Sequence, residues 1–133
     1  MIGFSYYATM GVRDGQLALR PRVAPLSPLG YGIWPDGLGL VQDRIHEQLP
    51  DAPVLVAGCS IATDDAVRAD HLERGLVVVH DAIDRGEDVH GLFHWTAVDS
   101  YEWLHGYDVS FGIIDRDRNG RASAENITRE ALP

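Results

Sequence analysis

Lysine is absent, cysteine occurs once, and no apolar run approaches the ~18 residues that a membrane-spanning helix needs. The single cysteine, Cys59, excludes an intrachain disulfide. All 11 basic residues are arginine, set against 20 acidic ones, for a formal net charge of -9. A nucleic-acid partner needs clustered positive charge to neutralise phosphates, and no basic stripe is present, so none is expected. The first residues run straight into a strand-like segment, without the basic-then-apolar pattern of a secretion leader. A cytoplasmic protein with no membrane partner is therefore predicted. In that setting the sequon Asn126-Ile127-Thr128 reads as chance.

What is present is the composition of a single soluble domain over residues 1–133, with 45% hydrophobic and 23% charged residues. Strand-then-helix units can be read three times. The first strand covers residues 2–7, Ile2-Gly3-Phe4-Ser5-Tyr6-Tyr7. A loop over residues 13–32 follows, in which Pro21, Pro25 and Pro28 oppose regular structure. Pro35 is pre-organised for a first helical turn, and the helix over residues 35–49 carries Leu38, Val41, Ile45 and Leu49 as one apolar face. The second strand, residues 53–57, is apolar on both sides, as in parallel sheets covered by helices. Thr63-Asp64-Asp65 then supplies caps and negative charge for a helix over residues 64–85, with Leu72, Leu76, Val79 and Ile83 facing inward. The third strand covers residues 89–95, and a last helix is predicted over residues 122–132.

Alternating strands and helices predict the α/β class, with right-handed parallel βα units. Three parallel strands leave two open edges, and open edges pair with other chains. A homo-oligomer or a partner subunit is expected.

Three segments resemble the last three βα units of the family 1 glycoside hydrolases, the β-glucosidase family. Ile2-Gly3-Phe4-Ser5-Tyr6-Tyr7 is similar to that family's G-x-N-Y-Y, and residues 54–65 are similar to its strand seven. The most specific match is Phe93-His94-Trp95, then Asp99-Ser100-Tyr101-Glu102-Trp103, Gly106-Tyr107 and Phe111-Gly112. It resembles F-x-W-S-L-x-D-N-F-E-W…G-Y…R-F-G around strand eight. The resemblance implies part of a (β/α)8 barrel, three units whose closure an oligomer or partner would complete, with its site at the C-terminal strand ends. The first five units have no counterpart.

The departures from the family pattern bear on chemistry. Aligned on Val56 and Ile61, the family's T-E-N-G falls over Ala57-Gly58-Cys59-Ser60, so Gly58 stands where the nucleophilic glutamate belongs. The acid/base N-E-P motif is also missing. A retaining glycosidase needs both carboxylates, about 5 Å apart. No catalytic residue is retained on this reading, and the family's hydrolytic mechanism is not expected. Ser5 replaces the family's asparagine as well.

The resemblance implies that the ligand-holding half survives. Trp95 would floor the sugar ring, Glu102 would accept hydrogen bonds from its outer hydroxyls, and Trp103 would donate to another. Phe111 would close the wall, and Tyr7 matches the tyrosine that orients the nucleophile. Flat aromatic faces with a few fixed polar groups suit a small, sugar-like ligand. Packing alone also accounts for large aromatics, although Glu102 between Tyr101 and Trp103 would sit in apolar surroundings that need a reason.

Other signals are weaker. Cys59 and Ser60 are nucleophile-capable residues at the old active position, with His94 on the neighbouring strand. Alternation puts His94 and Trp95 on opposite faces, and an isolated cysteine most often packs as a small hydrophobe. Residues 115–120, Asp115-Arg116-Asp117-Arg118-Asn119-Gly120, imitate a calcium loop, but Asn126 stands where the bidentate glutamate belongs. The six histidines lack metal-site spacing, so neither a metal nor a cofactor is implied. Three functions compete: a non-hydrolytic binder, a repurposed enzyme whose pocket uses Tyr7, Trp34, Trp95 and Trp103, and a subunit of a split barrel.

Overall fold

The most apolar segment of the chain forms the central strand of the sheet, flanked by a strand on each edge. A computed structural model describes residues 1–18 and 25–116. The elements in order are β1 (Ile2–Tyr6), β2 (Gly11–Arg13), β3 (Gln16–Ala18), α1 (Gly37–Gln48), β4 (Val54–Cys59), α2 (Asp65–Asp84) and β5 (Val89–His94). The main sheet has the order β1-β4-β5 with both pairings parallel. The helix expected over residues 122–132, the sequon and the second half of the calcium-like loop lie outside the described residues.

Both helices cover one face of this sheet. The core joins Tyr6, Leu38, Val56, Cys59, Val79, Ala82 and Val89, with Phe4, Val78 and Leu92 packed against it. On the other face Phe93 is 62% exposed, and Gly3, Ser5 and Ala57 are also open. An α/β layer that should be covered on both sides is thus covered on one. No described helix is long and apolar enough to cross a membrane.

The helices start as their sequences require. Asp64 accepts a hydrogen bond from the Val67 amide at 3.0 Å, capping α2, and Asp65 adds negative charge to the first turn. The buried faces, however, are turned from the expected ones. On α1, Leu38 and Gln42 are buried while Val41 and Leu49 are exposed. Gln42 goes inside because Glu87, at the entry to β5, offers its carboxylate to the amide nitrogen at 3.4 Å. On α2, Arg68, His71, Gly75 and Ala82 are buried with Leu72 and Val79, whereas Ile83 is 47% exposed.

The stretch expected as a loop over residues 13–32 begins with the turn of a hairpin. Asp14 and Gly15 have φ of 52° and 74°, the pair of positive values that a tight two-residue turn between β2 and β3 demands. β4 runs on through Gly58 to Cys59, past the expected end at residue 57. Register shifts beside Ala57 accompany this extension, with Phe4 opposite Val56 but Ser5 opposite Gly58.

Candidate functional site

The C-terminal ends of β1, β4 and β5 bring Tyr7, Gly58 and Trp95 together. The Tyr7 hydroxyl lies where a Cβ on Gly58 would fall, and that Cβ would also be 3.1 Å from Tyr7 Cζ and 3.2 Å from Ser5 Oγ. Two neutral hydroxyls therefore flank the position. Burial, then the nearby Cys59, pushes the Tyr7 phenol above its ordinary 10.0. It remains a neutral donor near neutral pH.

The next residue faces the other way. Cys59 is 1% exposed, and its Sγ lies 3.7 Å from where a Cβ on Gly75 of α2 would be. Burial raises its thiol from 9.0 to about 11, so it is protonated and inert rather than nucleophilic. His94 is its register partner on β5 and turns the same way, toward α2. His94 Nε2 sits 3.0 Å from the Phe111 carbonyl oxygen, while Nδ1 is buried without a hydrogen-bond partner among the described residues. Burial lowers its pKa, the Phe111 contact opposes this, and Arg68 lowers it further. Trp95 then points to the open side, 51% exposed, with its amide donating to the Cys59 carbonyl at 3.2 Å.

Beyond β5 the chain is laced by short bonds. Asp99 accepts from the Gly112 amide at 2.8 Å and its own amide donates to Ile114 O at 3.0 Å. A tight turn over residues 102–106 closes through Glu102 N to Gly106 O at 2.7 Å and Gly106 N to Glu102 O at 2.6 Å. Trp103 and Leu104 stand at its tip, 86% and 90% exposed. Tyr101 and Tyr107 pack edge to face at 5.3 Å, and the Arg116 guanidinium covers the Tyr107 ring at 4.7 Å. The apolar sandwich expected around Glu102 is not formed: Tyr101 is 58% exposed and Trp103 more so, with Glu102 half-buried between them. Packing among the described residues therefore does not explain Trp95 or Trp103.

Phe111 is half-buried on a segment held from behind by His94 and Ser60. Trp34 is 42% exposed, and its carbonyl takes the Tyr6 hydroxyl at 2.5 Å. Sequence reasoning gave Arg68 no role, weighed His71 only as one of six histidines without metal spacing, and read Tyr6 only as part of the first strand. Tyr6 stacks on His71 at 6.5 Å between ring centres. A signal existed, since Arg68, His71, Leu72, Gly75 and Val79 share one helix face, but a polar residue on such a face is normally read as its border.

Residues 23–131 match glycosyl hydrolase family 1. The chain belongs to that family. It is 33% identical over 123 residues to a bifunctional β-D-glucosidase/β-D-fucosidase of Bifidobacterium breve, covering 80% of this chain and 27% of that protein. It is 31% identical over 121 residues to the chloroplastic galactolipid galactosyltransferase SFR2 of Arabidopsis thaliana, covering 89% of this chain and 19% of that one. Among solved structures it is similar to the β-glycosidase BGL167, with a TM-score of 0.84 at 28% identity over 98% of this chain and 33% of the other. The β-glycosidase from Pyrococcus horikoshii gives 0.81 at 27% identity, over 98% and 37%. The chain thus spans about a quarter of the first relative's length and about a third of these glycosidases. In family 1 terms, its three parallel strands and two helices are part of the glycosidase barrel.

Proposed function

We propose that this family 1 chain holds a sugar-like ligand without cleaving it, at the strand ends where Tyr7, Trp95, Glu102, Trp103 and Phe111 stand at the family's ligand positions. The observation that carries the reading is Gly58. It lies against the hydroxyls of Tyr7 and Ser5, and no carboxylate is there to form a glycosyl-enzyme. Neither neighbour takes over: Cys59 is behind the sheet as a thiol, and Ser60 donates to Phe111 O at 3.4 Å. The relatives are named for glucosyl, fucosyl and galactosyl chemistry, which supports a neutral hexose or hexoside as ligand.

Tryptophan fluorescence tests this. Glucose or an aryl β-glucoside should produce a saturable change, because Trp95 and Trp103 are solvent-facing. Glu102→Gln should weaken binding about tenfold, the size of a charge-assisted hydrogen bond of ~1.5 kcal/mol. No change at tens of millimolar ligand would reject binding. Hydrolysis of the aryl glucoside above background and lost in Glu102→Gln would reject the loss of catalysis.

A second reading is favoured by the open sheet face, where Phe93 is 62% exposed. A second copy or a partner subunit would cover that face and the strand edges. A monomeric mass in solution, with cooperative unfolding, would reject it.

A further inference from the structure

Three polar side chains from three elements converge on two consecutive carbonyls. Arg68 of α2, 2% exposed, donates from Nη1 to Ser110 O at 2.9 Å and to Thr63 O at 2.6 Å, and its Nη2 pairs with Asp65. His94, closing β5, holds Nε2 3.0 Å from Phe111 O. Ser60, following β4 and 1% exposed, donates to the same oxygen at 3.4 Å. The carbonyls lie 42 to 51 residues away in sequence from Arg68 and Ser60, so these bonds tie a distant segment to the sheet.

The chemistry of the His94 contact is asymmetric. A carbonyl only accepts, so Nε2 carries a proton, and burial favours the neutral ring over the imidazolium. Nδ1 is then the acceptor, and it is buried without a partner among the described residues. A second proton would have to sit there. Around the ring are the Arg68 guanidinium and His71 from α2, whose charges act on or with His94, and the Cys59 thiol opposite on β4; of the carboxylates on α2, Asp65 pairs with Arg68, and Asp70 acts on His71 together with Arg74. A buried imidazolium in those surroundings is unfavourable, whereas the same ring in an opened segment is solvated.

We propose that Arg68, Ser60 and His94 form a clamp that positions the 108–112 segment, and with it Phe111, and that a proton on His94 Nδ1 releases it. These are positioning residues, acting through the backbone of the segment they hold. Their effect on ligand binding rests on the reading of Phe111 given above, but the clamp does not, so the test uses no ligand.

Hydrogen exchange of the full chain between pH 7.5 and 5 tests it, read as protection factors so that the intrinsic pH dependence of exchange drops out. The reporters are the amides of Gly112, bonded to Asp99, and Ile114, bonded to Ala97 O at 2.9 Å. In the native protein their opening constant should rise by up to about tenfold per pH unit below about 6.5. His94→Gln keeps a nitrogen donor but cannot titrate. It should retain protection within about threefold at pH 7.5 and show no such rise. His94→Ala should lower protection at every pH, and if it fails to fold, the glutamine variant decides alone. The same pH profile in native protein and His94→Gln would overturn the proposal, as would Gly112 protection equal to that of β4 amides at every pH.

Discussion

Replacing Gly58 with alanine puts a Cβ where the Tyr7 hydroxyl now lies, 3.1 Å from Tyr7 Cζ and 3.2 Å from Ser5 Oγ. All three approaches are tighter than ordinary carbon contacts of ~3.5–4.0 Å, so Tyr7 must swing away. Displacing a packed side chain in this way costs about 1–3 kcal/mol. Removing a glycine from a strand returns about 0.5–1 kcal/mol. The net expectation is a loss of about 1 kcal/mol. Tyr7→Phe removes the hydroxyl, the closest obstacle, while keeping the ring. In that background the alanine should cost less, giving a coupling of about 1 kcal/mol between the two changes. Urea denaturation of the four proteins, with a common slope, measures it. Additivity within about 0.3–0.5 kcal/mol would show that Tyr7 does not occupy the Gly58 position, and the argument from Gly58 to lost catalysis would lose its geometric support.

Leu38→Ala should cost about 2–5 kcal/mol by chemical denaturation, because Leu38 is fully buried at the junction of α1, α2 and the sheet. Gly75→Ala should stabilise by about 0.5–1 kcal/mol, since its new Cβ would meet Leu92, Cys59 and Leu38 at ordinary distances of 3.5–3.7 Å within a helix. Acid should weaken the fold through His71, whose pKa is lowered from 6.5 to about 4 by burial first, then by His94 and Arg74 against the opposing Asp70. The unfolded chain takes up this proton below about pH 6.5 and the folded chain does not until about 4, so stability is full above 6.5 and falls by up to about 3 kcal/mol between them. His71→Phe should flatten that part of the pH profile, and an unchanged profile would refute the assignment.

The fold was legible wherever its signal was local. Alternation of strand and helix, the apolar run of β4 and the cap at Asp64 all depend on neighbours in sequence, and each is where the residues place it. The hairpin was legible too, in Asp14-Gly15, but the prolines that follow draw the eye to a loop. The turned faces of α1 and α2 were not legible. Gln42 is buried because Glu87 meets it from 45 residues away, and Arg68 because Ser110 does from 42. Burial of a polar group is made tolerable by a partner for at least some of its atoms, and the partner's identity is not written beside it.

The candidate site divides along the same line. The strand-eight motif, and the reading that sets Gly58 at the nucleophile position, rest on sequence alone, because family motifs are patterns of residue type at fixed spacing. Which of Gly58 and Cys59, or of His94 and Trp95, faces the open side came only from tertiary structure, since a register shift of one residue reverses every side chain after it. That choice turned Cys59 and His94 from candidate chemistry into a buried polar layer, and left Tyr7, Gly58 and Trp95 at the strand ends.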